Sequence, residues 1–594
     1  MKQFFKMFFA SMLAIIITSV VLFFIIVGII VGATKSVTEE PTPNVSGNAV
    51  LVIDINRTIH EQSANNSLAA LSSGSSFTPG LYDLTTAIDF AKGDDHIKGI
   101  LLKIEGSPSG WATMQQLRSA LKDFKTSKKF IYAYAEDITQ KAYYVANVAD
   151  GVYLNPVGSF ELKGLASQIP FFKGTLDMLG VEPEIFYAGK FKSATEPFRA
   201  YNMSEPNKQQ IREYQNDIWN NFLQAATEKT GAPTDTIHSW AVNGSIQFPS
   251  DALNKHLIDG ALYWDEVEQL LRKKLDKKED EKINYLEMDD YAVYVKSKRN
   301  VDNNKIAVLF AEGDIIDGES DNENQIASKT IVEEIRKIRK NKKVKAVVLR
   351  VNSGGGSALA SEVILRELKL LHAEKPLIVS MGDVAASGGY YITCSADSVF
   401  ALPNTITGSI GVFTMLFNTQ NLWKNKLGIT FDEVKNSDYA DFPSVMRPLT
   451  ASESQKMQAS VDTIYETFKN RVAGARHRSM DYIDSIAQGR VWTGEDALAI
   501  GLVDGLGDLN RAIASASRKA KIKNYQVVTY PEPVDEFEMI LKRLKNAGTS
   551  ESVMKMMMQK DFQEEYGLIK KIHSLCRMNG KTMMKIPFDP TFGK

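Results

Sequence analysis

At 594 residues, 44% hydrophobic and 24% charged, the chain is too long for one core and too apolar for disorder, so two or more globular domains are expected. A formal net charge of −1 with seven histidines excludes the global positive field that nucleic acid requires, and lysine runs such as Arg272 to Lys278 are interleaved with acids, as on solvated helix faces. Two cysteines, Cys394 and Cys576, lie outside any CxxC or Cys/His pattern, which argues against a zinc site or a disulfide framework; a single bridge stays open, and Cys394 reads as a buried small hydrophobe.

In chain order, Lys2 and Lys6 precede an apolar run from Met7 to Ala33. As a helix rising ~1.5 Å per residue it would reach ~40 Å, beyond the ~30 Å hydrocarbon core, and it exceeds the ~7–15 residues of a cleavable signal core. Residues 1–34 are therefore expected to be a cytoplasmic tip and uncleaved transmembrane anchor, with the remaining chain on the far side of the membrane. No later segment is apolar enough to return.

The next feature is an internal repeat. Ile97-Lys98-Gly99-Ile100-Leu101-Leu102-Lys103-Ile104 returns as Val344-Lys345-Ala346-Val347-Val348-Leu349-Arg350-Val351, an offset of 247 (344 less 97). Tyr143-Tyr144 and Pro156 return at the same offset as Tyr390-Tyr391 and Pro403. Strand-like runs (Val50 to Ile55, Ile97 to Ile104, Phe130 to Ala135, Ile306 to Ala311, Val344 to Val351, Pro376 to Met381) alternate with amphipathic helices such as Thr330 to Arg339 and Glu362 to His372. That alternation predicts α/β domains with largely parallel sheets. The expected division is a first repeat at 47–290, a second at 303–531, a charged helix end plus linker from Lys273 to Asn304 around their junction, and a Met- and Lys-rich helical tail at 534–594.

The chemistry concentrates in the second copy. In Gly382-Asp383-Val384-Ala385-Ala386-Ser387-Gly388-Gly389-Tyr390, a strand ending near Met381 leads to Ser387 where a helix should begin, and unpaired N–H groups there would stabilise an oxyanion. By itself the run reads rather as a tight strand-to-helix turn with a capping serine. The loop Asn352-Ser353-Gly354-Gly355-Gly356-Ser357 follows the neighbouring strand and can aim further backbone N–H groups into the same cleft; it lacks the lysine of a phosphate-binding loop. No histidine motif accompanies the serine, and His372 is expected at an exposed helix end. The alternative base is a lysine kept neutral by burial, which requires lowering its pKa by ~3 units or ~4 kcal/mol. A candidate lies in Gly189-Lys190-Phe191-Lys192-Ser193-Ala194-Thr195-Glu196-Pro197-Phe198 of the first copy.

These motifs, with Thr407-Gly408-Ser409-Ile410-Gly411 and Gly489-Arg490-Val491-Trp492-Thr493-Gly494, resemble the long, signal peptide peptidase (protease IV) branch of the S49 serine peptidases from about Asn48 to Tyr530. The resemblance implies a tandem duplication of a crotonase- or Clp-peptidase-like α/β domain behind a membrane helix. It implies Ser387 as nucleophile, Lys192 as general base and acid, Ser409 orienting the lysine, and Gly388, Gly355 and Gly356 forming the oxyanion hole. It further implies no cofactor or metal, and a tetrameric homo-oligomer in the bacterial inner membrane. Its active part would be extracytoplasmic, cleaving remnant signal peptides and other apolar peptides. Gly354 departs from the proline usual in the glycine loop. A crotonase-type acyl-CoA enzyme and a non-catalytic membrane scaffold are the rival readings.

The repeat adds an internal comparison. Gln140 stands opposite Ser387, and Ala440 stands opposite Lys192 when Gly180-Val181 is aligned with Gly428-Ile429. Each half retains what the other lacks, which predicts one composite site per chain.

Overall fold

A computed structural model describes residues 45–65, 77–299, 302–320, 325–533 and 580–586, together with Met12, Ile17 and Thr18. The anchor expected at 1–34 lies almost wholly outside these residues. Among the described residues no helix is long and apolar enough to cross a membrane.

The apolar runs form two sheets of matching strand order. The first runs Gly260–Ala261, Gly151–Leu154, Phe130–Ala135, Ile97–Lys103, Ala49–Asp54, Asn284–Glu287, with every neighbour parallel. The second repeats that path as Gly505–Leu506, Ser398–Ala401, Leu377–Ala386, Val344–Ser353, Lys305–Glu312, Gln526–Tyr530, again parallel throughout. Central strands such as Leu377–Ala386 are apolar on both faces because helices cover both sides. Helix Ser328–Lys340 shows how each cover is made: Ile331, Ile335 and Ile338 recur at three- and four-residue spacing and are buried, while Lys337, Arg339 and Lys340 complete its basic last turn. Burying each such isoleucine is worth about 1.5–3 kcal/mol.

The two repeats are packed together. Val384, Ala386, Ile406 and Val491 of the second join the hydrophobic core of the first. The Arg350 guanidinium, wholly buried, donates to Glu61 at 2.8 and 3.1 Å and to Ser380 and the Met381 carbonyl at 2.7 and 2.8 Å. Asp383 caps the first repeat's helix Trp111–Phe124, accepting from the Thr113 amide at 2.8 Å and the Thr113 hydroxyl at 2.6 Å. A third sheet spans the junction in the order Gln325–Ala327, Asp314–Ile316, Gly355–Ser357, Thr582–Lys585, Val412–Asn418, Glu182–Ala188.

Three expectations change. The charged stretch expected as a linker is folded: Asn284–Glu287 pairs with Ala49–Val52, and helix Met288–Lys298 buries Met288, Tyr291, Ala292 and Val295. The strand expected to stop near Met381 runs on to Ala386, because after an irregularity in its pairing with Val344–Ser353 it takes up Ile406–Gly408 as a new neighbour. The tail read as helical contributes a strand, Thr582–Lys585, since two open sheet edges accept its backbone; of 534–594 only residues 580–586 are described.

Candidate active site

Ser387 sits directly beyond Ala386 with φ 56° and ψ −116°, a conformation uncommon for a residue with a Cβ. Its amide donates to the Gly408 carbonyl at 2.8 Å, which fixes the turn. The helix that follows, Gly388–Tyr391, is a single turn. A helix thus begins where the sequence placed it, and, being one turn long, it offers local N–H groups rather than a macrodipole as the source of positive potential. Gly388 and Gly389 are required by crowding: a Cβ would lie 2.7 Å from Ser361 Oγ at the former and 2.5 Å from the Ser353 carbonyl oxygen at the latter. The same hypothetical Cβ of Gly388 would be 3.2 Å from the Gly356 nitrogen, so the serine turn and the glycine loop are in contact. The Gly355 amide donates to Ser353 Oγ at 3.1 Å.

Lys192 reaches this turn from the other repeat. Strand Glu182–Ala188 pairs antiparallel with Val412–Asn418 over seven residues, and the chain then turns at Gly189, φ +104°, to present Lys192. Lys192 Nζ lies 2.8 Å from Ser387 Oγ, 3.1 Å from Ser409 Oγ and 3.2 Å from the Ser409 carbonyl oxygen. Lys192, Ser387 and Ser409 are each at most 1% exposed. Burial drives the Lys192 amine well below the ordinary lysine value, with no carboxylate acting to restore it. In its neutral form, which burial favours, the amine is a proton acceptor within reach of the serine hydroxyl.

Residues the sequence reading did not single out hold the lysine segment. From helix Glu205–Thr230, Gln210 Nε2 donates to the Phe191 carbonyl at 3.2 Å and to Ser193 Oγ at 2.9 Å, while Asn207 accepts from Ser193 Oγ at 2.9 Å and donates to Glu196 at 2.9 Å. Gly489 is packed so closely that a Cβ there would lie 2.7 Å from Lys192 Cβ. The Phe191 amide donates to the Gln488 carbonyl at 2.8 Å, and the Phe191 ring carries Lys190 and Arg490 at 5.1 and 5.2 Å. Position in a polar helix gives Asn207 and Gln210 no local signal; Gly489 was visible only as one letter of a motif.

The counterpart site differs in kind. Gln140 opens helix Gln140–Ala146 behind an ordinary Thr139 cap, and its amide group is tied to the backbone of Lys163 and Gly164. Ala440 lies in an exposed loop. His372 ends helix Ala358–His372, half-buried beside Asp397 at 3.3 Å, and Cys394 is buried and free, its thiol pushed up to about 12 by burial.

The model of Peptidase family S49 matches residues 123–278 and 369–523, and that of Clp protease matches residues 297–407. Protease 4 of Salmonella typhi is 36% identical over 83% of this chain and 81% of its own length. The chain belongs to peptidase family S49. Protease 4 of Haemophilus influenzae is 39% identical over 74% of this chain and 72% of its own, and the chloroplastic serine protease SPPA of Arabidopsis thaliana is 33% identical over 77% and 68%. As an S49 member of the long type, this protein is a serine peptidase, and the Clp protease match agrees with the mixed α/β sheet that carries Ser387.

Proposed function

We propose that the protein is a membrane-anchored endopeptidase that uses Ser387 and Lys192 to cut extended apolar peptides, remnant signal peptides among them. The carrying observation is the 2.8 Å approach of the buried Lys192 amine to the Ser387 hydroxyl. The Ser387 proton passes to Lys192 Nζ as Oγ bonds to the substrate carbonyl carbon, and the oxyanion is held by the amides of Gly388 and of Gly355 or Gly356. Collapse breaks the C–N bond while the Lys192 ammonium protonates the leaving amine. Water then repeats the sequence through the same base and frees the acyl product as a carboxylic acid. Ser409 Oγ keeps the amine aimed, and no step calls on a cofactor. Ser387→Ala and Lys192→Ala should each abolish cleavage of a fluorogenic apolar peptide with the melting transition retained; full activity in either would refute the assignment.

In this reading 47–290 and 303–531 are the two repeats, the first completed by the helix through Lys298, and 1–34 is the anchor that holds the catalytic part on the extracytoplasmic face of the inner membrane. Deleting 1–34 should move the protein from the carbonate-resistant membrane fraction to the soluble one. The protein also forms a homo-oligomer, and the duplication supplies its geometry. Strand Glu182–Ala188 joins the repeats by pairing Ile185 opposite Met415. The equivalents are left open: 165–171 has no ladder partner, and the loop at 430–436 exposes Phe431 at 56% and Val434 at 100%. Adding 430–436 of one copy to 165–171 of the next repeats the internal junction head to tail, a heterologous contact that generates a ring where its rotation closes. That register sets Gln168 opposite Glu433 of the next copy. Gln168→Cys with Glu433→Cys should therefore give an oxidative ladder of covalent oligomers that neither single variant gives; a chain that stays monomeric at micromolar concentration would overturn this.

A further inference from the structure

The strand Thr582–Lys585 occupies a place that the peptidase chemistry needs for something else. It lies between Gly355–Ser357 and Val412–Asn418, antiparallel to both, with Lys585 opposite Gly355, Met584 opposite Gly356, and Met583 between Ser357 and Phe413. The Ile586 amide donates to the Gly354 carbonyl at 2.9 Å and the Gly580 amide to the Met415 carbonyl at 2.9 Å, extending the pairing at both ends. The tail backbone runs against the oxyanion glycines: a Cβ at Gly355 would lie 1.9 Å from the Met584 carbonyl oxygen and 2.7 Å from the Gly388 nitrogen. Met583, Met584 and Ile586 are 7%, 1% and 5% exposed, Lys585 pairs with Asp314 at 2.7 Å, and Lys581 with Asp317 at 3.3 Å. Gly354 makes room for this seat, since a Cβ there would come within 2.9 Å of Ile586 Cγ1.

We infer that this groove is the peptide-acceptor site, taking one extended strand with buried apolar side chains flanked by a basic one, and that the chain's own residues 580–586 compete with substrate for it. The inference rests on the peptidase reading of Ser387 and Lys192. Strand addition to two free edges supplies backbone hydrogen bonds, with the side-chain seats giving selectivity. A tethered segment acts at an effective concentration of about 1 mM, so a groove affinity of about 0.1 mM raises the apparent KM about tenfold.

The test compares the full chain, a chain ending at Asn579, and full-length Ile586→Asp, which removes a buried anchor without touching the dyad. Both variants should show KM lowered about tenfold with kcat held, and the synthetic peptide Lys-Thr-Met-Met-Lys-Ile should inhibit the shortened chain competitively. Binding of that peptide, fluorescently labelled, to the shortened chain carrying Ser387→Ala is read by anisotropy without turnover. Binding there with no cleavage of any peptide by the other chains would sink the peptidase reading and leave the groove assignment standing. Unchanged KM in both variants, or no binding of the peptide, would overturn the tail as occupant.

Discussion

Gly489→Ala perturbs the base without altering either reacting side chain. At φ +75°, an added Cβ would stand 2.7 Å from Lys192 Cβ and 2.7 Å from its backbone nitrogen. Comfortable contacts between carbons are about 3.5–4.0 Å, so Lys192 and Gly489 must separate by roughly 1 Å. Lys192 is in the segment pinned by the Phe191 amide on the Gln488 carbonyl, so the shift is transmitted along the side chain and opens the 2.8 Å gap to Ser387. A displacement of about 1 Å at a reacting group costs on the order of 100-fold in rate. We therefore expect kcat on a fluorogenic apolar peptide to fall about 100-fold with little change in KM. The left-handed backbone adds a stability loss of about 1 kcal/mol. Gly501→Ala is the control, because it shares the left-handed strain, φ +72°, yet its Cβ would meet only the Arg478 side chain, at 3.4 Å. It should lose similar stability and keep kcat. Wild-type kcat in a folded Gly489→Ala protein would refute the placement of Lys192 against Gly489.

Glu61→Ala should destabilise the protein by about 3–5 kcal/mol in a denaturant titration, because it strips the carboxylate from a fully buried Arg350 at the seam of the repeats; a loss under 1 kcal/mol would show that the pair is not desolvated as described. Lys192→Met should abolish activity yet raise stability at neutral pH. Burial lowers the folded-state pKa of Lys192, so between that value and the ordinary lysine value of ~10.4 the unfolded chain binds the extra proton, and wild-type stability climbs as pH rises through that window. The methionine variant should flatten this part of the profile of melting temperature against pH, and an unchanged profile would contradict a buried neutral amine.

The parts of the fold visible in the sequence are those with local periodicity. The apolar run Val344 to Val351 and the isoleucine spacing in Ser328–Lys340 are properties of contiguous residues, and both became the expected elements. The offset of 247 revealed the repeat for the same reason, and the two sheets keep one strand order. The misread elements depend on distant partners. Asn284–Glu287 is a strand because Ala49–Val52 offers it an edge, and Thr582–Lys585 because Gly355–Ser357 does; neither carries an apolar alternation long enough to announce itself. Ser387 was ambiguous within its own segment, and local sequence left Lys192 indistinguishable from a surface lysine, so that only the motif resemblance chose it over Lys190. The distinction between those two lysines is burial, set by the pairing of Glu182–Ala188 with a strand over two hundred residues away.

The central claim is that one site per chain is assembled from Ser387 of one half and Lys192 of the other. Its most direct test is mass-spectrometric mapping of a fluorophosphonate probe on the full-length protein, with labelling rate followed against pH. One modified serine per chain, Ser387, is expected, at a rate that rises as the lowered Lys192 pKa is passed and then levels off, and Lys192→Met should lose that labelling. Modification of a different serine, or undiminished labelling of Ser387 in Lys192→Met, would contradict the composite site.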